Sequence, residues 1–280
     1  MPSAKRQKAS PVSRKASQQA RAFARAYKTF KFPAKVYAGP DVALSTRQED
    51  AVATAALAAT FDWRDSVAVP PAGSQQPCNA CSSFAIASTI EICWLIAQPG
   101  TAVRVSPGYI HTCLGHANDT DPQVICSYGV DLFAALTLVL QQGFATLDSA
   151  AYPCPPGVCG VIQPTGRISE FGPIAGAGMA KAAIQNAGPI AADMYIWEDF
   201  FDYTTARAPT YQPDATRQGP YPHSVCVIGF NDQGWIVKNS MGNSWGDGRG
   251  CAVIAYGSCA LLGAPPPPGG VPRQAFAVSL

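Results

Sequence analysis

No run of about eighteen apolar residues occurs in the 280-residue chain, so no membrane-spanning helix is expected. Charge is scarce: charged residues make up 14% and hydrophobic residues 48%, the balance of a compact body and not of a solvated, disordered chain. There are only three histidines, and no second Cys-x-x-Cys accompanies the pair Cys78 and Cys81. Zinc needs about four ligands, usually two such pairs or one pair with histidines. Cys154 and Cys159 are five apart, and His111 and His116 bracket Cys113 in no finger spacing, so neither metal nor cofactor is expected. A thioredoxin-type redox pair wants a βαβ context, and no such pattern precedes Cys78. The N-terminus lacks the apolar h-region of a secretory leader.

Acid is missing from the first forty residues. No Asp or Glu precedes Asp41, and ten of the twenty Lys and Arg lie in residues 1–35. From Ala58 onward there are nine basic and fifteen acidic residues. A basic head on an acidic body points to two parts. The basic residues form no recognised nucleic-acid module and the body would repel phosphate, so no nucleic-acid partner is expected. Within the head, Ala20, Phe23, Ala24, Tyr27 and Phe30 recur at helical spacing. That spacing predicts a short amphipathic helix needing a surface to dock on, stopped by Pro33. An extended linker follows to residue 57.

What is present in the body is ordered helices first, strands second. Pro70, Pro71 and Gly73 make a loop before the cysteines, and Ser82–Gln98 carries enough apolar residues for a buried helix. Cys81 then stands at a loop-to-helix junction, where unpaired amides and the helix dipole favour a thiolate. A second helix is predicted from Asp131 to Gln142, closed by Gly143. The stretches GPIAADMYI, HSVCVIGF, GWIVKNS and CAVIAY read as strands, the middle two joined at Asn231–Gly234. This is an α+β pattern in two layers or lobes. GAPPPPGGVP reads as a stiff surface connection.

His223 starts an apolar strand and Asn239 follows sixteen residues later, after the hairpin partner. Adjacent antiparallel strands can set a His and an Asn side by side. The Asn oxygen then fixes the imidazole tautomer and aims the other nitrogen at a thiol.

These parts together resemble the papain-like cysteine proteases. The resemblance covers roughly residues 61–262, from Phe61-Asp62-Trp63-Arg64 through Gln75, Cys78, Cys81 and Phe84, then SPGYIHTC, AALTLVLQQGF and AYP, to HSVCVIGF, WIVKNSMGNSWGDG and AYGSCALL. His223 lies 142 residues after Cys81, within the family spacing. The resemblance implies a two-lobe fold, with a helical first lobe (about 70–170), an antiparallel β-barrel-like second lobe (about 171–262) and the cleft between them. It implies Cys81 as nucleophile, His223 as its acid–base partner, Asn239 as orienter of that ring, and Gln75 with the Cys81 N–H as oxyanion donors. Gly129, Val130, Leu132, Phe133, Asp193, Ser224 and Trp245 fall at substrate-cleft positions. Met241 stands where the family carries a Trp over the His–Asn bond, Ser82 where it carries an aromatic residue, Asn79 where it carries a Gly, and Val130 where it carries the second Gly of a pair.

The resemblance further implies disulfides from Cys78 to Cys126 and from Cys113 to Cys159 or Cys154. Cys93 and Cys226 are expected as buried thiols. Several disulfides favour a secreted or periplasmic setting, although no leader is visible. Residues 1–57 read as a short prosegment blocking the cleft and 58–280 as the peptidase domain. The expected partners are a peptide or protein substrate and the intramolecular prosegment, on a monomer. The alternatives are a papain-fold peptide-binding module and a thiol acyl transferase or deamidase.

Overall fold

The computed structural model describes residues 57–280. The amphipathic helix expected around 17–30 and its stop at Pro33 lie outside the described residues. In chain order the elements are β1 (Phe61–Asp62), α1 (Cys81–Ala97), a π-helical turn (Tyr109–Gly115), α2 (Pro122–Ser127), α3 (Leu132–Gln142), β2 (Glu170–Pro173), α4 (Gly176–Asn186), β3 (Ile190–Ile196), β4 (Thr210–Tyr211), β5 (Tyr221–Phe230), β6 (Gly234–Lys238), β7 (Cys251–Ala255) and β8 (Ala275–Ser279). Among the described residues no helix is long and apolar enough to cross a membrane.

Helix α1 is buried on most of its faces, as an all-round apolar helix must be. Ala85, Ile86, Ala87 and Ile90 join a core with Leu136, Val139 and Phe144. Ile92 packs instead with Cys226, Ile228 and Ile236 of the sheet. One helix therefore serves both lobes. Helix α3 begins at an Asp131 cap, whose Oδ1 accepts from Ala134 N at 3.0 Å. It ends at Gly143, whose φ of +88° a side chain would resist.

The sheet runs β2-β8-β3-β5-β6-β7-β4, with β1 pairing on β5. All pairs are antiparallel except β4 on β7. A second core lies on this sheet and includes Ile190, Met194, Val225, Val227, Phe230 and Trp235. Helix α4 covers it with Ala180, Ala183 and Ile184. At Gly229 an added Cβ would meet the Phe61 carbonyl oxygen at 2.3 Å; glycine lets β1 close on β5 there.

Two differences from the sequence reading stand out. The second lobe does not end near 262: β8 returns beyond the proline run and inserts between β2 and β3. Helix α4, lying among the strands, has no clear apolar period in the sequence because Gly and Ala dilute it.

Candidate active site

Each proposed site residue sits on an element built for other reasons. Cys81 is the first residue of α1, half-buried and outside any disulfide. The preceding Ala80 makes no side-chain cap, so the positive end of a 17-residue helix is presented without a competing acceptor at that position. His223 lies on β5 opposite Met194 of β3. Asn239 follows β6 directly, where its own N–H donates to the Gly250 carbonyl at 2.9 Å.

The His–Asn contact is resolved to single atoms. His223 Nε2 lies 2.7 Å from Asn239 Oδ1. The same Oδ1 accepts from the Ser240 backbone N–H at 2.8 Å. A backbone N–H can only donate, so the atom facing it is the amide oxygen. Nε2 must then carry the proton, and Nδ1 keeps the lone pair. The Phe200 ring packs edge-on against His223 at 5.7 Å, and Trp245 packs on Phe200 at 4.8 Å. Trp245 is held by its Nε1–H to the Phe200 carbonyl at 2.6 Å. Met241 is buried in the same core. Asn239 Nδ2 is buried with no hydrogen-bond partner among the described residues, so the amide is oriented by its oxygen.

Gln75 is tied to the Asn239 segment. Its N–H donates to the Ser240 carbonyl at 2.8 Å, and Ser240 Oγ donates to Gln75 Oε1 at 2.6 Å. That leaves the amide nitrogen directed away from Ser240; Nε2 contacts the Cys78 carbonyl at 3.4 Å. Tyr152 Oη donates to the Gln75 carbonyl. Ser240 and Tyr152 had no signal in periodicity, because their contacts span 165 and 77 residues.

The disulfides are Cys78–Cys126 and Cys113–Cys159. The first ties the loop before Cys81 to the end of α2. Beside it Asn79 Nδ2 donates to the Ser127 carbonyl at 3.0 Å. Ser82 is buried and its Oγ donates to the Val130 carbonyl at 2.7 Å; the half-buried Gly129-Val130 strip thus hangs from the first turn of α1. Leu132 is fully buried. It is 1% exposed and belongs to the first-lobe core, because the cap at Asp131 turns the first α3 residue inward. Phe133 is likewise buried, packed on Phe171 and Phe276. Asp193 is half-buried on β3 and accepts from Ser224 Oγ at 2.6 Å. Burial raises its carboxyl to about 7, with Ser224 and Arg273 pulling the other way.

Burial lowers His223 to about 4, against the Asn239 bond, and lowers His111 to about 4 with help from neighbouring His116. An unfolded chain takes up these protons near pH 6.5, while the folded chain refuses them until about 4. Stability contributed by the neutral rings is therefore present above 6.5 and lost as pH falls toward 4, by about 3 kcal/mol for each ring. Asp193 and Glu91, both raised, work in the opposite sense. His111→Gln is expected to reduce the loss of Tm between pH 7 and pH 4, measured by calorimetry. An unchanged loss would remove His111 as a cause.

With this geometry in hand, the chain can be set beside known proteins. The family model for papain family cysteine proteases matches residues 57–262. The chain belongs to the papain family of cysteine proteases. Among papain-family relatives, digestive cysteine proteinase 2 of Homarus americanus is 24% identical over 208 residues, which are 69% of this chain and 60% of that protein. Fruit bromelain of Ananas comosus is 27% identical over 233 residues, 76% of this chain and 60% of that protein. The chain thus spans about 60% of the length of these papain-family relatives. A solved procathepsin B S9 from Trypanosoma congolense superposes with a TM-score of 0.67 at 18% identity, over 92% of this chain and 88% of that one. The fold is the α+β papain-like fold.

Proposed function

We propose that this chain is a cysteine endopeptidase, made with its basic N-terminal segment (1–57) as a prosegment that blocks the cleft of the 58–280 domain. Cys81 is the nucleophile. His223 Nδ1 takes the thiol proton, the thiolate attacks the peptide carbonyl, and the imidazolium returns the proton to the leaving amine. Water then hydrolyses the thioester. Gln75 Nε2 and the Cys81 N–H receive the oxyanion. The observation that carries this reading is the doubly engaged Asn239 oxygen, which fixes the His223 tautomer. Burial alone disfavours an imidazolium; a thiolate beside it offsets that cost, so the two ions form together.

The experiment is labelling of Cys81 by iodoacetamide or an epoxide reagent, with the full chain and with a chain starting at residue 58. Rapid labelling and peptide cleavage after truncation are expected. No labelling of the truncated chain sinks the enzyme reading. Labelling without cleavage of any peptide in a library favours acyl transfer. Equal rates with and without the head remove its inhibitory role.

The side-chain pocket is proposed at Asp193 and Ser224, beside Arg273, whose guanidinium stacks 3.9 Å over the Tyr195 ring. A carboxyl titrating near 7 selects neutral side chains in acid and gains preference for basic ones above neutrality. The ratio of kcat/KM for Arg against Leu substrates is expected to rise with pH in the parent and stay flat in Asp193→Ala. A parallel rise in both would clear Asp193 of this role.

A further inference from the structure

Outside the active site the first lobe holds a cluster of three sulfurs. Cys113 and Cys159 form a disulfide, and the thiol Cys154 lies with its Sγ 3.8 Å from Cys113 Sγ. All three sulfurs lie within 4.8 Å of one another. They come from different structures: Cys113 from the buried π-helical turn, Cys154 from the segment after Pro153, and Cys159 from a turn over 156–161. Cys113 and Cys154 are both packed in the first-lobe core, whereas Cys159 lies at its margin, half-buried. Its turn is open to water, with Val161 78% exposed.

We propose that this trio is a thiol–disulfide exchange site, in which Cys154 displaces Cys159 from Cys113 and delivers a reactive thiol to the 156–161 turn. The Cys154 thiolate attacks Cys113 Sγ. The Cys113–Cys154 bond forms, the Cys113–Cys159 bond breaks, and Cys159 leaves with the electron pair as thiolate. The proton lost by Cys154 passes to solvent. No external oxidant is consumed, since one disulfide and one thiol stand on each side. The direction follows from solvation. Expelling Cys159 puts the leaving charge at the wet edge, whereas expelling Cys113 would strand a thiolate in an apolar core. Burial raises the Cys154 thiol, which slows the first step and lets the resting pair persist. Cys159, once released, is placed to take a low-molecular-weight disulfide RSSR, forming Cys159–S–S–R and releasing RS⁻. The cluster is independent of the peptidase reading, because it uses neither Cys81 nor His223.

The test uses the full chain with Cys81→Ala, to prevent autolysis and labelling at the nucleophile. The folded protein is incubated with iodoacetamide near pH 8 without reductant, quenched with acid, digested with pepsin and mapped by mass spectrometry. Expected are a growing Cys113–Cys154 pair and alkylated Cys159. Addition of Cys154→Ser should abolish labelling at Cys159. Addition of Cys159→Ser should yield a folded protein with a Cys113–Cys154 disulfide. Labelling confined to Cys154 with Cys113–Cys159 intact, or a folded Cys159→Ser protein with both remaining thiols alkylated, overturns the proposal. If Cys159→Ser does not fold, the mapping of the parent and of Cys154→Ser decides alone.

Discussion

His223→Ala is expected to lower kcat/KM for peptide hydrolysis by a factor on the order of 10⁶, the scale seen when a base is removed from a nucleophile that works as a unit with it. Asn239→Ala should cost less, because the ring remains. It should cost more than a lost hydrogen bond, however, since Asn239 Oδ1 serves two donors. Its removal frees the His223 tautomer and also releases the N–H of Ser240, the residue that holds Gln75. Neither change should alter the far-ultraviolet dichroism. Measuring kcat/KM on the truncated chain checks both. A His223→Ala enzyme retaining a tenth of parental activity would mean that another group takes the proton.

Lys238→Met is expected to destabilise the fold by about 1–3 kcal/mol, because it removes a buried hydrogen bond to Ser88 and one of the two cations that favour the Glu91 carboxylate. Lys238 and Glu91 are each 4% exposed. Lys238 Nζ donates to Ser88 Oγ at 2.6 Å, and Glu91 Oε1 accepts from Arg104 Nε at 3.1 Å and Val105 N at 3.0 Å. Burial pushes the Glu91 carboxyl up, and Lys238 and Arg104 oppose this. These groups line a cavity of about 170 Å³ with Phe84, Tyr152 and Ser74. Arg104 is the ion-pair partner of that carboxylate at 3.1 Å, so Glu91 keeps a cation when the ammonium is removed. Thermal melts should fall by about 5 °C for Lys238→Met and recover in part when Glu91→Leu is added. An unchanged melt for the single variant would mean that Arg104 alone suffices.

Much of this molecule is legible in its sequence because the informative features are local. The apolar stretch after Cys81, the Asp131 cap and Gly143 stop of α3, and the hairpin turn at Asn231–Gly234 each declare themselves within a dozen residues. The residues that steady the site do not. Ser240 means nothing until Gln75 is folded against it, and Phe200 is an ordinary aromatic until its ring meets His223. Ser82 reads as a gap where the related proteases carry an aromatic ring. In the fold it is a donor to Val130, a contact across 48 residues. Leu132 falls at a cleft position by resemblance, yet it is 1% exposed and packs in the first-lobe core. Strand β8 was hidden by the proline run before it, which signals a break and gives no hint that the chain returns to the sheet.

Ala72 N–H donates to Asn243 Oδ1 at 3.0 Å, Gly242 N–H to the Gly73 carbonyl at 2.9 Å, and Gln75 N–H to the Ser240 carbonyl at 2.8 Å; Ser74 bridges Met241 between them. Residues 72–75 and 240–243 therefore move as one stiff bar. Gln75 rides at one end, opposite Ser240, and Asn239 sits just past that same end. Any flexing that leaves this ladder of bonds intact carries these two amides together. The amide protons of Gln75 and Gly242 should exchange with solvent only as slowly as the whole domain unfolds.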